Sequence, residues 1–387
     1  MTAAPKEDGR LLKVMTILGT RPEIIKMSRV LAELDAHTEH VLVHSGQNSD
    51  YELNQVFFEE LGLRSPDHVL NAVGKTVAET IGLIITRADE VLARESPDAV
   101  VLYGDTNTCL AVIAAKRRQI PVFHLEAGNR SFDERVPEEM NRRLVDHLAD
   151  INLPLSEHAR RYLLAEGIRP ETVIKVGSPM REVITHYRPR IDASRVLDEL
   201  RLEPGQYFLV SAHREENVDP PERLARLLDS LNALATHHGL RVIVSTHPRT
   251  RRRLEAGAQK AAALDERVEF LKPFGFPDYV RLQMQAACVL SDSGTLSEEA
   301  AILGFPAVMI RDAHERPEGM DEAVAVMAGL GRERVLQAVD LMRAHAAAGA
   351  RPSPVPDYRS DSVSRKVVRI VLSHVDYVNR VVWRHTP

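Results

Sequence analysis

Cysteine is nearly absent: Cys109 and Cys288 stand far apart in a chain of 387 residues. Two thiols cannot build a disulfide framework or a structural zinc site, so a reducing compartment is expected. No apolar run approaches the roughly 18 residues needed to cross a bilayer, and Met1 to Arg10 lack the apolar core of a signal peptide. The expectation is a cytoplasmic protein with no membrane partner. An excess of either charge is also missing. Lys and Arg number 50 against 55 Asp and Glu, a net charge of -5 with both signs interspersed, which leaves no basic stripe for nucleic acid. Several motifs are lacking as well. No Gly-x-Gly-x-x-Gly follows a strand, Asn71 to Thr76 lacks the first glycine of a P-loop, His314-Glu315 has no zincin partner, and no Asp-x-Asp pair occurs. Nicotinamide, Walker-type and zinc chemistry lose support, and the reading is a mechanism with no metal and no cofactor.

What is present is an ordinary globular composition, 44% hydrophobic and 27% charged, long enough for two domains of about 150 residues or somewhat more. Short β-branched runs at Lys13 to Leu18, His40 to Val43, Ala99 to Tyr103, Ile120 to Phe123 and Thr172 to Val176 alternate with helix-period segments. After the Pro-containing, charged stretch Tyr187 to Gly205 the pattern restarts at Tyr207 to Ser211, Arg241 to Ser245, Val268 to Leu271, Cys288 to Leu290 and Ala307 to Ile310. The fold class is therefore α/β: two doubly wound Rossmann-type parallel-sheet domains, 1–186 and 187–362, expected to face each other across a cleft. Val363, Val367, Ile370, Val371 and Val378 repeat at helical spacing, so 363–387 is read as a helix that packs back on the first domain. Ligands of such sheets bind beyond the carboxyl ends of the strands, which directs attention to the strand-to-helix loops.

The first strand ends in Gly19-Thr20-Arg21-Pro22, and Lys26 follows on the next helix. The free N–H groups of a helix start, with Arg21 and Lys26, suit a phosphate; a tight turn with two exposed cations explains the same residues. Asp105, Glu126 and Glu138-Glu139 each fall just past a strand. Converging carboxylates can serve as general acids and bases. Asp105 also suits a helix cap, and Glu138 and Glu139 suit a helix dipole, whereas Glu126 is hardest to explain structurally. In the second domain His213 follows a strand as a phosphate partner or proton donor, while His247 ends the next strand, where a simple turn also explains it. Ser293, Gly294 and Thr295 offer donors for a phosphate, and Glu299 on the helix that follows can grip ribose hydroxyls. Arg316, after the strand Ala307 to Ile310, supplies another cation. Solvated surface would explain any one of these pieces.

Taken together, Gly19-Thr20-Arg21-Pro22-Glu23 with Lys26, Gly104-Asp105-Thr106, Glu126-Ala127-Gly128, Pro137-Glu138-Glu139 with Asn141-Arg142, His213-Arg214, Asp292-Ser293-Gly294 with Glu298-Glu299-Ala300, and Glu315-Arg316-Pro317-Glu318 resemble the non-hydrolysing UDP-N-acetylglucosamine 2-epimerase family. The resemblance runs from about Lys13 to the last helix. It implies a GT-B-like pair of Rossmann domains, a homodimer, a UDP-sugar substrate, and inversion at C2 without an external redox cofactor. By matching positions it implies Asp105, Glu126 and Glu138 as catalytic carboxylates and His213 facing the diphosphate. It further implies Arg21, Lys26, Arg142 and Arg316 near the UDP-sugar, with Ser293, Gly294, Thr295 and Glu299 holding phosphate and ribose.

C2-H of an N-acetylhexosamine is not adjacent to a carbonyl, so direct deprotonation is too slow, and departure of UDP from C1 supplies the driving force. The expected route is elimination to a 2-acetamidoglucal and re-addition. The sequence departs from the commonest family pattern in two places that bear on substrate. The stretch Asn129 to Val136 is shorter than usual and lacks the leucine after Gly128, and Thr295 and Ser297 replace the usual Gly and Gln. Both resemble the subgroup acting on UDP-2-acetamido-2,6-dideoxy-L-hexoses, which keeps that substrate as the alternative to UDP-GlcNAc. A GT-B glycosyltransferase, a hydrolysing epimerase and a silent sugar-nucleotide sensor are the further rivals. A third departure bears on regulation: Gln47-Asn48-Ser49-Asp50 stands where activator-dependent members carry Gln-His-Arg, so little or no activator requirement is expected.

Overall fold

The computed structural model describes residues 10–46, 58–255 and 264–385. The stretch Gln47 to Asp50 lies outside them. The chain divides into two compact units, the first running to Thr185 and resuming at Arg359, the second comprising His186–Tyr358.

The first unit holds a six-stranded sheet ordered β3-β2-β1-β4-β5-β6, with β1 Lys13–Leu18, β2 Glu39–His44, β3 His68–Val69, β4 Ala99–Tyr103, β5 Val122–Leu125 and β6 Ile151–Leu153. All its pairings are parallel. Every residue of β4 and β5 is buried, and apart from His124 these strands read as apolar runs because helices cover both faces. The strand order turns back between β1 and β4, and the loops leaving those two strands begin at Gly19 and Gly104. At such a switch point neighbouring loops splay apart and open a crevice for ligand.

The second unit repeats the plan in a sheet ordered β12-β11-β10-β7-β8-β9, with β7 Tyr207–Ser211, β8 Arg241–Ser245, β9 Val268–Leu271, β10 Cys288–Ser291, β11 Ala307–Met309 and β12 Val326–Met327. Its switch lies between β7 and β10, whose following loops carry His213 and Asp292. The helix Val363–Val381 belongs to the first unit and packs on the helix Arg21–His37. It buries Val363, Val367, Val371, Val375 and Val378 along one face, and side chains of that size each stabilise by about 1.5–3 kcal/mol when fully buried.

Two differences from the sequence reading stand out. Thr172 to Val176 is not a strand. Pro170–Thr172 forms a 3-10 turn, and only Val173 makes a bridge, to Asn152, because proline fixes the turn and leaves too few residues to extend the ladder. Conversely β3, β6 and β12 have two or three residues each, too few to display a periodicity.

No helix among the described residues is long and apolar enough to cross a membrane.

Candidate active site

In the first unit the loops after β1, β4 and β5 and the helix Pro137–Leu148 bring four of the expected residues into one polar cluster. Glu126, directly after β5, has φ +63°. A side chain other than glycine in this left-handed region costs about 1–2 kcal/mol and persists only where the surroundings fix it. Here they do. Lys26 Nζ donates to Glu126 Oε2 at 2.7 Å, and the Tyr103 hydroxyl donates to the same oxygen. The Lys26 ammonium also lies 5.6 Å from the centre of the Tyr103 ring. Lys26, expected near a phosphate, is thus buried with its charge on a carboxylate.

Asp105 is held in a similar way. Arg142 Nε and Nη2 both reach its Oδ2 at 2.8 Å, and Asn141 Nδ2 donates to its backbone carbonyl at 3.0 Å. Arg142 Nη1 continues to Glu139 Oε2 at 3.0 Å, where the Ser131 N–H and Oγ also donate. Burial alone would raise the Glu139 carboxyl, but the Ser131 donors and then Arg142 outweigh it and hold Glu139 below the ordinary glutamate range. The carboxylate that Arg142 pairs with on this helical turn is therefore that of Glu139, while Glu138 beside it is half-buried.

Glu23 ties the loop after β1 to the loop after β4. Its Oε2 accepts from the N–H of Gly19 at 2.6 Å and of Thr20 at 3.1 Å, which caps the helix start, and its Oε1 accepts from Thr106 Oγ1 at 2.6 Å. Gly19 has to be glycine, since a Cβ there would sit 2.0 Å from Thr108 Oγ1 and 2.3 Å from Ser45 Oγ. Arg21, the first helical residue, is partly exposed. Desolvation lifts the Glu23 carboxyl to about 7, against three hydrogen bonds that pull it down, with Asp105 adding repulsion.

A raised carboxyl contributes stability that is complete below its unfolded value and is lost as pH rises through the folded one. For Glu23 the window runs from about 4.5 to about 7. Relative to Glu23→Gln, the wild type should therefore lose roughly 2–4 kcal/mol between pH 4.5 and 7.5, read as the change in difference between their urea midpoints. A difference that stays flat with pH would refute the burial of an ionisable Glu23.

Beneath these loops His124 Nδ1 meets Asp146 Oδ1 at 2.9 Å and its Nε2 meets the Gly104 carbonyl at 2.7 Å, while the Gly128 N–H and Arg130 Nη1 also donate to Asp146. Cys109 reports the convergence: burial, then the charges of Glu23, Asp105, Glu126 and Asp146, push its thiol well up.

The second unit assembles the other expected residues around Asp292, which is fully buried. Its carboxylate accepts from the N–H groups of His213 and Arg214 at 3.0 Å each and from Asn217 Nδ2 at 3.1 Å, and it lies 3.1 Å from His213 Nδ1. Against the upward pull of burial, His213 first and then these donors lower Asp292 to about 2. The His213 side chain remains 37% exposed, open to a ligand, with the His247 ring 5.7 Å away. Burial and the neighbouring His213 lower His247 to about 4.

Arg214 Nη2 reaches Glu315 Oε1 at 3.1 Å, and a Cβ on Gly294 would lie 2.2 Å from that same oxygen, so a side chain there would have to displace the Glu315 carboxylate. Ser293 Oγ and Thr295 Oγ1 are 3.0 Å apart at the start of the helix Leu296–Leu303. On that helix Glu299 Oε2 accepts from the buried Gln283 Nε2 at 2.5 Å. Arg316 is buried and pairs with Glu298 at 2.9 Å, so its charge also rests on a carboxylate.

Tyr103, Asp146 and Gln283 carried no sequence signal. An aromatic residue ending a strand reads as core, and the partners of the other two are distant in the chain.

The family model for UDP-N-acetylglucosamine 2-epimerase matches residues 32–372. The chain is 52% identical to the solved UDP-N-acetylglucosamine 2-epimerase from Rickettsia bellii, covering 97% of this chain and 100% of that one with a TM-score of 0.89. It is 32% identical to the Methanocaldococcus jannaschii UDP-GlcNAc 2-epimerase solved in complex with UDP-GlcNAc and UDP, covering 94% and 100% with a TM-score of 0.86. A curated UDP-N-acetylglucosamine 2-epimerase of M. jannaschii is 35% identical over 343 residues, 86% of this chain and 92% of that protein. The architecture shared with these relatives is two Rossmann-like domains of the GT-B kind.

Proposed function

The chain belongs to the UDP-N-acetylglucosamine 2-epimerase family, isomerases of nucleotide sugars, and on that premise we propose that it interconverts UDP-GlcNAc and UDP-ManNAc through a 2-acetamidoglucal. A carboxylate takes the C2 proton, the C2-H electron pair becomes the C1-C2 double bond, and the C1-O bond breaks with its electrons leaving on UDP. Re-addition runs the same step backwards with a proton delivered to the opposite face, so atoms and charge return to balance without a redox partner.

Asp105, Glu126 and Glu138 are the proposed proton-transfer carboxylates. His213 is assigned to the diphosphate with Arg21, and Ser293, Gly294 and Thr295 to phosphate contacts. Glu299 is assigned to the ribose. Lys26, Arg142 and Arg316 balance the negative charge of the site, each from an ion pair with a carboxylate. The observation that carries this reading is the convergence of Asp105 and Glu126 at neighbouring strand ends, each gripped by a buried cation. Carboxylates fixed in place by buried donors at adjacent strand ends suit reversible proton transfer at carbon. The working unit is taken to be a homodimer, and a light-scattering mass near the 43.2 kDa of one chain would contradict that part.

Incubated with UDP-GlcNAc, without added metal or nicotinamide, the protein should yield UDP-ManNAc resolvable by anion-exchange chromatography. Free N-acetylmannosamine with UDP would mark a hydrolase instead. Turnover confined to a UDP-2-acetamido-2,6-dideoxy-L-hexose would move the substrate to the alternative that Thr295 and Ser297 favour.

A further inference from the structure

Tyr103 closes β4 two residues before Asp105, is 2% exposed, and donates its hydroxyl to Glu126 Oε2. Lys26 Nζ donates to the same oxygen at 2.7 Å from the helix Arg21–His37. Two elements of the sheet's switch point thus each send one donor to a single carboxylate oxygen on a third. A packing role would need only the ring, so a hydroxyl aimed at an acid in a strained backbone conformation asks for a different explanation.

We propose that Tyr103 is a positioning residue of the epimerase reaction: with Lys26 it fixes the Glu126 carboxylate and keeps it ionised for proton transfer at C2. The inference rests on the reading of Glu126 as a proton-transfer group. Donors to a carboxylate stabilise the ionised form, and a phenol and an ammonium on one oxygen also fix the rotation of the group. The titratable groups of this loop cluster, all felt at the buried Cys109 thiol, are Glu23, Asp105, Glu126 and Asp146, with His124 against Asp146 and Arg142 on Asp105. Removing one of the two donors leaves the charged form of Glu126 less stabilised, so its affinity for a proton should rise.

The test compares wild type, Tyr103→Phe, and Val101→Ala, which opens the same strand at a fully buried position without touching a polar group. Tyr103→Phe is expected to lower kcat about tenfold with KM within about twofold, and to move the acidic limb of the kcat profile upward by about half a pH unit or more. Val101→Ala should lower the melting temperature and leave the limb in place.

A second measurement needs no substrate: carboxyl carbon NMR titration of labelled glutamate, with the Glu126 signal assigned through Glu126→Gln. The Glu126 midpoint should rise in Tyr103→Phe. A midpoint and limb unmoved in Tyr103→Phe, or moved equally in Val101→Ala, overturns the proposal. A raised midpoint in a protein inert towards every UDP-hexosamine would leave the hold of Tyr103 on Glu126 standing but sink the proposed reaction, and with it the part of Tyr103 in catalysis.

Discussion

Replacing Glu126 by glutamine is expected to lower turnover by about three to four orders of magnitude while UDP binding stays within about twofold. Glutamine keeps the shape of the side chain, so the Lys26 and Tyr103 donors still meet an oxygen and the loop should hold its left-handed turn. What disappears is the capacity to take up and return a proton. General acid–base groups typically contribute between about a hundredfold and ten-thousandfold, and the upper end applies because C2-H is a poor acid. UDP binding should survive, because the residues assigned to it other than Arg21 lie on the second unit. Steady-state assay with calorimetric titration of UDP checks both halves. Turnover near wild type with unaltered UDP affinity would remove Glu126 from the chemistry.

The second large effect lies at Asp292. Alanine there is expected to destabilise the second unit by about 3–5 kcal/mol, because it deletes a buried charge and strands the donors that surround it. The His213 and Arg214 N–H groups and Asn217 Nδ2 would all lose their acceptor. UDP affinity should fall at least about tenfold, since the loop after β7 would lose its tie to the loop after β10. Urea denaturation and UDP titration read the two effects separately.

The same carboxylate has a pH signature of opposite sign to that of Glu23. Its folded value is lowered to about 2, so its contribution is complete above the unfolded value near 3.8 and is lost as pH falls through 2, roughly 2 kcal/mol in all. Glu23 therefore weakens the fold on the way up to neutrality, and Asp292 on the way down into acid.

Much of this was legible in the sequence, because strand ends in parallel sheets are marked by apolar runs giving way to Gly, Asp or Ser. Gly104-Asp105, Glu126-Ala127-Gly128 and Asp292-Ser293-Gly294 announce themselves in that way. Pairing was not legible. Lys26 reads as a phosphate partner because a cation near a helix start suits an anion, and the resemblance places Arg142 and Arg316 near the UDP-sugar; that each also pairs with a carboxylate is visible only in the fold. Glu138 and Glu139 are indistinguishable by composition, and only the helix phase puts Glu139 under Arg142. Tyr103 looked like the last core residue of β4 because a hydroxyl's aim is not encoded in local pattern.

The central claim is that these carboxylates move a proton at C2 while UDP departs and returns. Proton NMR of the protein with UDP-GlcNAc in deuterated water, with no metal or nicotinamide added, tests it most directly. The account predicts UDP-ManNAc carrying deuterium at C2, with deuterium also entering the C2 position of the recovered UDP-GlcNAc. Epimer formed with full retention of the original C2 proton would contradict it.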